Sequence, residues 1–127
     1  MIRTIRSLQQ ALADFAAERE WEQFHTAKNL AMALGGETGE LLEIFQWLTP
    51  EESATVMSDP LKAIQVREEI ADVFAYLLRI ADVLGIDLEQ ALLEKIEING
   101  RKYPADRARG RADKYTQLGG LNRQCAP

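Results

Sequence analysis

The sequence predicts an all-α fold, a four-helix-bundle-like arrangement joined by short links. Apolar residues recur at helical spacing through most of the 127 residues, no stretch sustains the period-two alternation of a strand, and capping residues precede the periodic runs. With 46% hydrophobic but only 7% aromatic residues, the chain is suited to one compact domain with a moderate core.

The first helix is expected from about Thr4 to Glu20, where Ile5, Leu8, Leu12, Phe15 and Ala16 form one apolar face. A second begins after Thr26, carries Leu30, Leu34, Leu41, Phe45 and Leu48, and ends before Pro50, because proline disfavours helix at the preceding residue. Gly35, Gly36 and Gly39 fall inside it. Each costs a helix about 1 kcal/mol relative to alanine, so the cluster implies a compensating cause such as close approach of a backbone or a ligand. Thr49-Pro50-Glu51-Glu52 combines a cap, proline at the first helical position and glutamate three after the cap, which predicts a short helix. Asp59-Pro60 repeats the start signal, and Leu61, Ile64, Ile70, Val73, Leu77, Ile80 and Leu84 carry the longest helix to Gly85. Asp87 and Gln90 open the last main helix, which runs on towards Gly100 and Pro104, with an extended tail expected beyond.

Composition excludes several classes of protein. The longest hydrophobic run, Phe74 to Ile86, contains Arg79 and Asp82, so nothing approaches the ~20 apolar residues of a membrane span. The start of the chain is basic, yet the apolar stretch of a secretory signal does not follow it, and a cytoplasmic location is expected. The single cysteine, Cys125, cannot form an internal disulfide or a multi-cysteine zinc site. The net charge of −5 hides an asymmetry: residues 1–100 carry 8 basic against 18 acidic side chains, and residues 101–127 carry 7 against 2. An acidic body argues against binding duplex nucleic acid, and the tail cations Arg107, Arg109, Arg111 and Lys114 are too sparse for a nucleic-acid module.

The chemistry is written in carboxylates. Glu37 and Glu40 are spaced to share one face of the second helix, and Glu69 and Asp72 one face of the long helix, so two facing pairs would make a cage of hard oxygen ligands. Mg²⁺ takes such ligands, keeps several waters and reaches for substrate phosphates. Acids at helical spacing also form ordinary solvated faces, but those carry compensating cations. Here no Lys or Arg occurs from Asn29 to Leu61, and none stands three or four positions after Glu69 or Asp72. An external cation is the economical remedy for that repulsion. A di-iron bundle would need Glu-x-x-His on two helices, and the only histidine, His25, precedes the second helix. Neither a Gly-x-Ser-x-Gly elbow nor a Walker-type loop is present.

The segments Gly36-Glu37-Thr38-Gly39-Glu40-Leu41 and Glu69-Ile70-Ala71-Asp72-Val73 resemble the E-x-x-E…E-x-x-D signature of MazG-like all-α nucleoside triphosphate pyrophosphohydrolases. Glu18 to His25, Asn29-Leu30 and Phe45-Gln46-Trp47 resemble the dCTP pyrophosphatase branch, and Arg101-Lys102-Tyr103-Pro104 with Lys114-Tyr115-Thr116 extend the likeness over residues 5–118. The tryptophan-containing motifs are more specific than the acidic spacing.

The resemblance implies that Glu37, Glu40, Glu69 and Asp72 bind Mg²⁺ and carry catalysis, a metal-activated water attacking the α-phosphorus of dCTP, or a modified dCTP, to give the monophosphate and pyrophosphate. It also implies that Trp21, Glu22, Gln23, Phe24, His25, Asn29, Trp47 and Tyr76 line the nucleotide pocket. Lys95, Asn99, Lys102 and Tyr103 match positions near the phosphates. By spacing alone Trp21, Trp47, His25 and Tyr76 could equally be packing residues, and Lys95 a solvated one. Two departures stand out: Leu12 replaces a substrate-contacting histidine of dCTP-selective members, and Thr38 replaces an apolar residue between the first two acids. Base selectivity is therefore open, and dUTP or a damaged purine triphosphate are rival substrates. A non-catalytic helical interaction module is the rival of another class. The resemblance further implies a homo-oligomer, a dimer of dimers, with a catalytic domain over residues 1–104 and a basic tail over 105–127, acting in nucleotide-pool sanitation.

Overall fold

A computed structural model describes residues 3–118; all its regular elements are helical, and no strand forms among the described residues. The long helices are α1 (Ile5–Glu18), α2 (Ala27–Phe45), α4 (Pro60–Leu84) and α5 (Leu88–Lys102); the short ones are α3 (Pro50–Ala54), α6 (Ala105–Ala108) and α7 (Tyr115–Leu118). Two 3-10 turns, Glu22–Phe24 and Val56–Ser58, lead into α2 and α4. Contacts divide the chain into two compact units between Ile86 and Asp87. Cys125 lies outside the described residues.

The caps form as the side chains dictate. Thr4 and Ser7 close a capping box on α1, and Thr49 and Glu52 close another on α3. Thr26 accepts from the Asn29 amide to start α2, Asp59 accepts from Leu61 and Lys62 to start α4, and Asp87 accepts from Gln90 to start α5. Gly85 ends α4 at φ 69, the left-handed conformation in which glycine escapes the Cβ penalty.

Helix ends depart from expectation in three places. The first helix stops at Glu18 because Glu20 itself adopts φ 54; the Trp21 amide then bonds back to the Ala16 carbonyl at 2.9 Å and the Glu20 amide to Ala17 at 3.1 Å, a Schellman closure built on a non-glycine residue. The second stops at Phe45 rather than running to Leu48, since Thr49 is needed in extended conformation as the cap of α3 and the intervening residues must turn. Beyond Pro104 the expected extended tail is instead helical in α6 and α7: Pro104, at φ −56, starts α6 and accepts bonds from Arg107 and Ala108.

Within the first unit α4 is the hub, with α2 packed along it and α1 against it. The buried apolar residues are small or few: Ala16, Leu30, Val56, Val66, Leu78 and Ala81. Gln9 is the one buried polar residue among those described, and its Nε2 donates to the Leu78 carbonyl at 3.0 Å, fastening α1 to α4. Leu61, Ile64, Ile70, Phe74 and Leu77 of α4 stay exposed. At Gly35, Gly36 and Gly39 no backbone of this chain makes the close approach: a Cβ at any of them would meet nothing within 4 Å among the described residues. No helix among the described residues is long and apolar enough to cross a membrane.

Candidate functional site

The packing of α2 against α4 carries two carboxylate pairs into one place. Glu37 and Glu40 are one turn apart on α2, as are Glu69 and Asp72 on α4. Ligand oxygens of Glu37, Glu40 and Glu69 all lie within 4.8 Å of one another. Asp72 stands beside this group, exposed, and acts on Glu37 and Glu69 through its charge. The Oε2 atoms of Glu37 and Glu69 are buried with no hydrogen-bond partner.

Such an arrangement of like charges is unfavourable unless a proton or a cation enters it. Glu37 is pushed up to about 7, first by the hydrogen bond it would share with Glu69, then by burial, then by Glu40 and Asp72. For Glu69 the bond with Glu37 pulls the other way, but burial and the charges of Glu40 and Asp72 outweigh it and leave the group raised. The two therefore titrate as a pair. An ionised pair has no donor of its own, so its buried oxygens are satisfied either by a shared proton or by a hard cation. The donor set, carboxylate oxygen throughout, fits a divalent cation of the Mg²⁺ type.

Next to the acids a cavity of about 260 Å³ is lined by Leu12, Phe15, Trp21, His25, Glu37, Asp72, Ala75, Tyr76 and Arg79. The Schellman closure at Glu20 is what delivers Trp21 to it. The chain folds back at the end of α1, and the indole meets Phe15 edge-on, with ring centroids 5.8 Å apart and planes at 70°. Arg19 caps the other side of the arrangement, its guanidinium carbon 3.6 Å from the Phe15 ring centroid. His25 follows the 3-10 turn, 6.4 Å from Trp21 between centroids, and its Nδ1 accepts from Arg79 Nε at 3.2 Å. Burial first, and the Arg79 charge second, hold His25 below its usual range.

Of the residues singled out in the sequence, the structure thus brings Trp21, His25, Glu37, Asp72 and Tyr76 to one cavity, with Glu40 and Glu69 alongside. Glu22 and Gln23 line a different surface depression, with Ala17 and Glu20. Phe24 is 59% exposed, and Asn29 Nδ2 donates to its carbonyl at 3.0 Å, so Asn29 closes the turn leading into α2. Trp47 is 85% exposed beyond the end of α2, which corrects the alternative of a core tryptophan there. Lys95, Asn99, Lys102 and Tyr103 belong to the second unit; in it Lys102 Nζ sits 4.8 Å over the Tyr115 ring, and Tyr103 meets that ring edge-on at 6.1 Å.

Sequence reasoning missed Phe15, Ala75 and Arg79 as cavity residues. The signal for two of them was present: Asp72, Ala75, Tyr76 and Arg79 recur at helical spacing on the face of α4 that bears Asp72. The bond from Arg79 to His25 crosses between segments distant in sequence and has no local signature.

Comparison with known proteins agrees with this architecture. Residues 33–118 match the MazG-like family. The chain is 45% identical over 115 residues to dCTP pyrophosphatase 1 of Homo sapiens and 44% identical to that of Bos taurus, in each case over 91% of this chain and 68% of the relative. Among solved structures, a pyrophosphatase from Archaeoglobus fulgidus superposes with a TM-score of 0.74 at 41% identity, covering 82% of this chain and 95% of that one. The acid pairs on α2 and α4, the helical architecture and these similarities give one conclusion: the chain belongs to the MazG-like family.

Proposed function

We propose that this chain hydrolyses dCTP, or a modified dCTP, to the monophosphate and pyrophosphate, with Mg²⁺ held by Glu37, Glu40, Glu69 and Asp72, and so clears the nucleotide pool. The observation that carries the reading is the pair of buried, unpartnered oxygens on Glu37 and Glu69 beside a cavity walled by Trp21, Tyr76 and His25. The 42–45% identity to proteins named dCTP pyrophosphatase 1 supports the substrate.

When bound, Mg²⁺ supplies acidification of a water and neutralisation of charge on the departing pyrophosphate. The protein's own residues do the rest. The acids hold their shared proton in the metal-free state and release it as the cation enters, so binding is expected to liberate protons. Trp21 and Tyr76 offer aromatic faces to a base, an interaction worth about 1–3 kcal/mol for each stacked base. Leu12, Phe15 and Ala75 exclude water from that end of the cavity. By family resemblance Glu22, Gln23, Phe24, Asn29 and Trp47 complete the nucleotide contacts, and Lys95, Asn99, Lys102 and Tyr103 neutralise phosphate charge.

The exposed apolar residues of α4 support assembly into a homo-oligomer, proposed as a dimer of dimers, since unpaired apolar faces of this kind mark association surfaces. We take residues 1–104 as the catalytic domain, residues 105–127 as a basic tail and the cytoplasm as the place of action.

The test is pyrophosphate release from dCTP, 5-methyl-dCTP, dUTP and purine triphosphates, with MgCl₂ and with EDTA. Turnover of dCTP that needs Mg²⁺ and falls by about a hundredfold or more in both Glu40→Ala and Asp72→Ala is expected. Folded wild type that cleaves no triphosphate refutes the reading and leaves a non-catalytic helical module; preference for dUTP or a purine keeps the reaction and changes its substrate.

A further inference from the structure

Leu12 lines the cavity at the position where the resemblance calls for a substrate-contacting histidine, so that contact, and any part it plays in base choice, must come from other groups. Asp72 and Arg79 are about 10 Å apart along the axis of α4, which sets the His25–Arg79 couple apart from Asp72 along the cavity wall. With the acids serving phosphate and metal, the His25–Arg79 end is the one that meets the base.

That end has a defined hydrogen-bonding character. Arg79 Nε donates to His25 Nδ1, and a guanidinium cannot accept, so the neutral imidazole must carry its proton on Nε2. Arg79 is in turn held by Asp82, whose Oδ2 lies 3.6 Å from Arg79 Nη1 and whose Oδ1 accepts from Arg6 Nη1 at 2.8 Å. The line Arg6, Asp82, Arg79, His25 therefore runs from α1 through α4 to the turn that carries the histidine. Burial and the Arg79 charge both disfavour a second proton on the ring.

We propose that Arg79 is a positioning residue for base selection: it fixes His25 as an Nε2–H donor, and that donor pairs with the O2/N3 edge of cytosine. The inference rests on the reading of this cavity as a dCTP site. Apart from the acids and the Tyr76 hydroxyl, the polar side chains of the lining, Trp21, His25 and Arg79, are all donors in this state. Cytosine presents two adjacent acceptors, O2 and N3, and suits such a wall. Uracil and thymine place an N3–H between their carbonyls, which sets donor against donor and leaves a buried polar group unmatched. Leu12, Phe15 and Ala75 have no acceptor with which to compensate. Were the ring free to move its proton to Nδ1, Nε2 would become an acceptor and the distinction would be lost.

His25 is the sole histidine, so a long-range ¹H–¹⁵N spectrum of the full ¹⁵N-labelled chain reports its tautomer without ambiguity. Wild type should show a protonated Nε2 and an unprotonated Nδ1; Arg79→Met should give a mixture, and Arg79→Lys should restore the pattern in part. In parallel the ratio of kcat/KM for dCTP over dUTP should fall about tenfold in Arg79→Met, chiefly through the KM for dCTP, with partial recovery in Arg79→Lys. A proton on Nδ1 in wild type overturns the proposal, and this measurement needs no variant to fold. So does an Arg79→Met protein whose tautomer changes while its selectivity holds. Wild type that cleaves dUTP as readily as dCTP also overturns it but leaves the pyrophosphohydrolase standing, whereas protein that cleaves no triphosphate fails that underlying reading first.

Discussion

Replacing Glu37 by glutamine should make the metal-free protein more stable while removing most of its response to Mg²⁺. Glu37 is raised from the usual 4.5 to about 7, so between those values the folded chain retains a proton that the unfolded chain has lost. Stability of the metal-free protein must therefore fall as pH rises through this window, and the deficit is complete above it. An unscreened shift of this size would correspond to about 3 kcal/mol. Glu40 and Asp72 are exposed, however, and charge interactions that water can reach are worth roughly 1 kcal/mol or less, so about 1 kcal/mol is the expected penalty at pH 8. An amide at this position is neutral at every pH and can donate to Glu69, which relieves both the repulsion and the unpartnered oxygen.

Scanning calorimetry at pH 5 and pH 8, each with EDTA and with excess MgCl₂, reads the whole argument. For a chain of this size about 1 kcal/mol corresponds to about 3–6 °C in Tm. Glu37→Gln in EDTA should melt that much above wild type at pH 8 and close to it at pH 5. Mg²⁺ should raise wild type more at pH 8 than at pH 5, because the cation competes with the proton, and should raise the variant little. A variant no more stable than wild type at pH 8, or one stabilised by Mg²⁺ as strongly as wild type, would show that the carboxylates are a solvated face and not a cage.

Other substitutions probe the frame around the acids. Trp21→Ala should lose about 1 kcal/mol of stability through the Phe15 contact, seen by denaturant titration, and raise the KM for dCTP about tenfold or more. Trp47→Ala should shift stability by no more than about 0.5 kcal/mol, since that side chain is 85% exposed; a larger change would place it in a packed environment. Gly35→Ala with Gly39→Ala should stabilise α2 by about 0.5–1 kcal/mol each, because a Cβ meets nothing there, whereas a fall in oligomer mass by sedimentation would reveal a second copy against that face. Glu20→Gly should raise Tm by relaxing the positive φ, with dCTP turnover retained; a lower Tm would mean that the Glu20 side chain contributes more than its backbone strain costs.

Helix starts were the most legible part of the chain because each depends on a few adjacent side chains. Thr4, Thr26, Thr49, Asp59 and Asp87 all accept the amide bonds that their spacing implies. Ends were harder to read where no glycine marks them: Glu20 takes the left-handed conformation that sequence reserves for glycine, and Pro104 opens a helix where it reads equally well as a stop. The clustering of Glu37, Glu40 and Glu69 was legible for the same local reason as the caps, since helical spacing and a long stretch without cations are both visible in one dimension. The glycines of α2 show the limit of that reasoning. Their propensity cost is visible in sequence, but the close approach offered to explain it requires a neighbour, and within the described structure the neighbour is absent. Arg79 shows the converse, a residue whose helical register was visible but whose partner, His25, lies on another segment.

The long helix α4 ties these separate features together. It contributes Glu69 and Asp72 to the acids, Ala75 and Tyr76 to the cavity wall, and Arg79 to the histidine couple, all without an interior glycine or proline between Leu61 and Leu84. At 1.5 Å per residue, Glu69 and Arg79 stand about 15 Å apart along the axis, a span of the same order as an extended nucleotide. On the proposed reading, a single rigid element therefore fixes the distance between the acids that would support phosphate chemistry and the couple that would read the base. Loops could not hold that distance as well, because each would add its own freedom. On this view α1 and the turn after it serve as the adjustable wall: Gln9 and Arg6 fasten them to α4, and Glu20 sets the angle at which Trp21 enters. Changes of substrate base within this architecture are then expected to arise at Leu12, His25 and Arg79, while the acids on α2 and α4 stay fixed by the geometry of two packed helices.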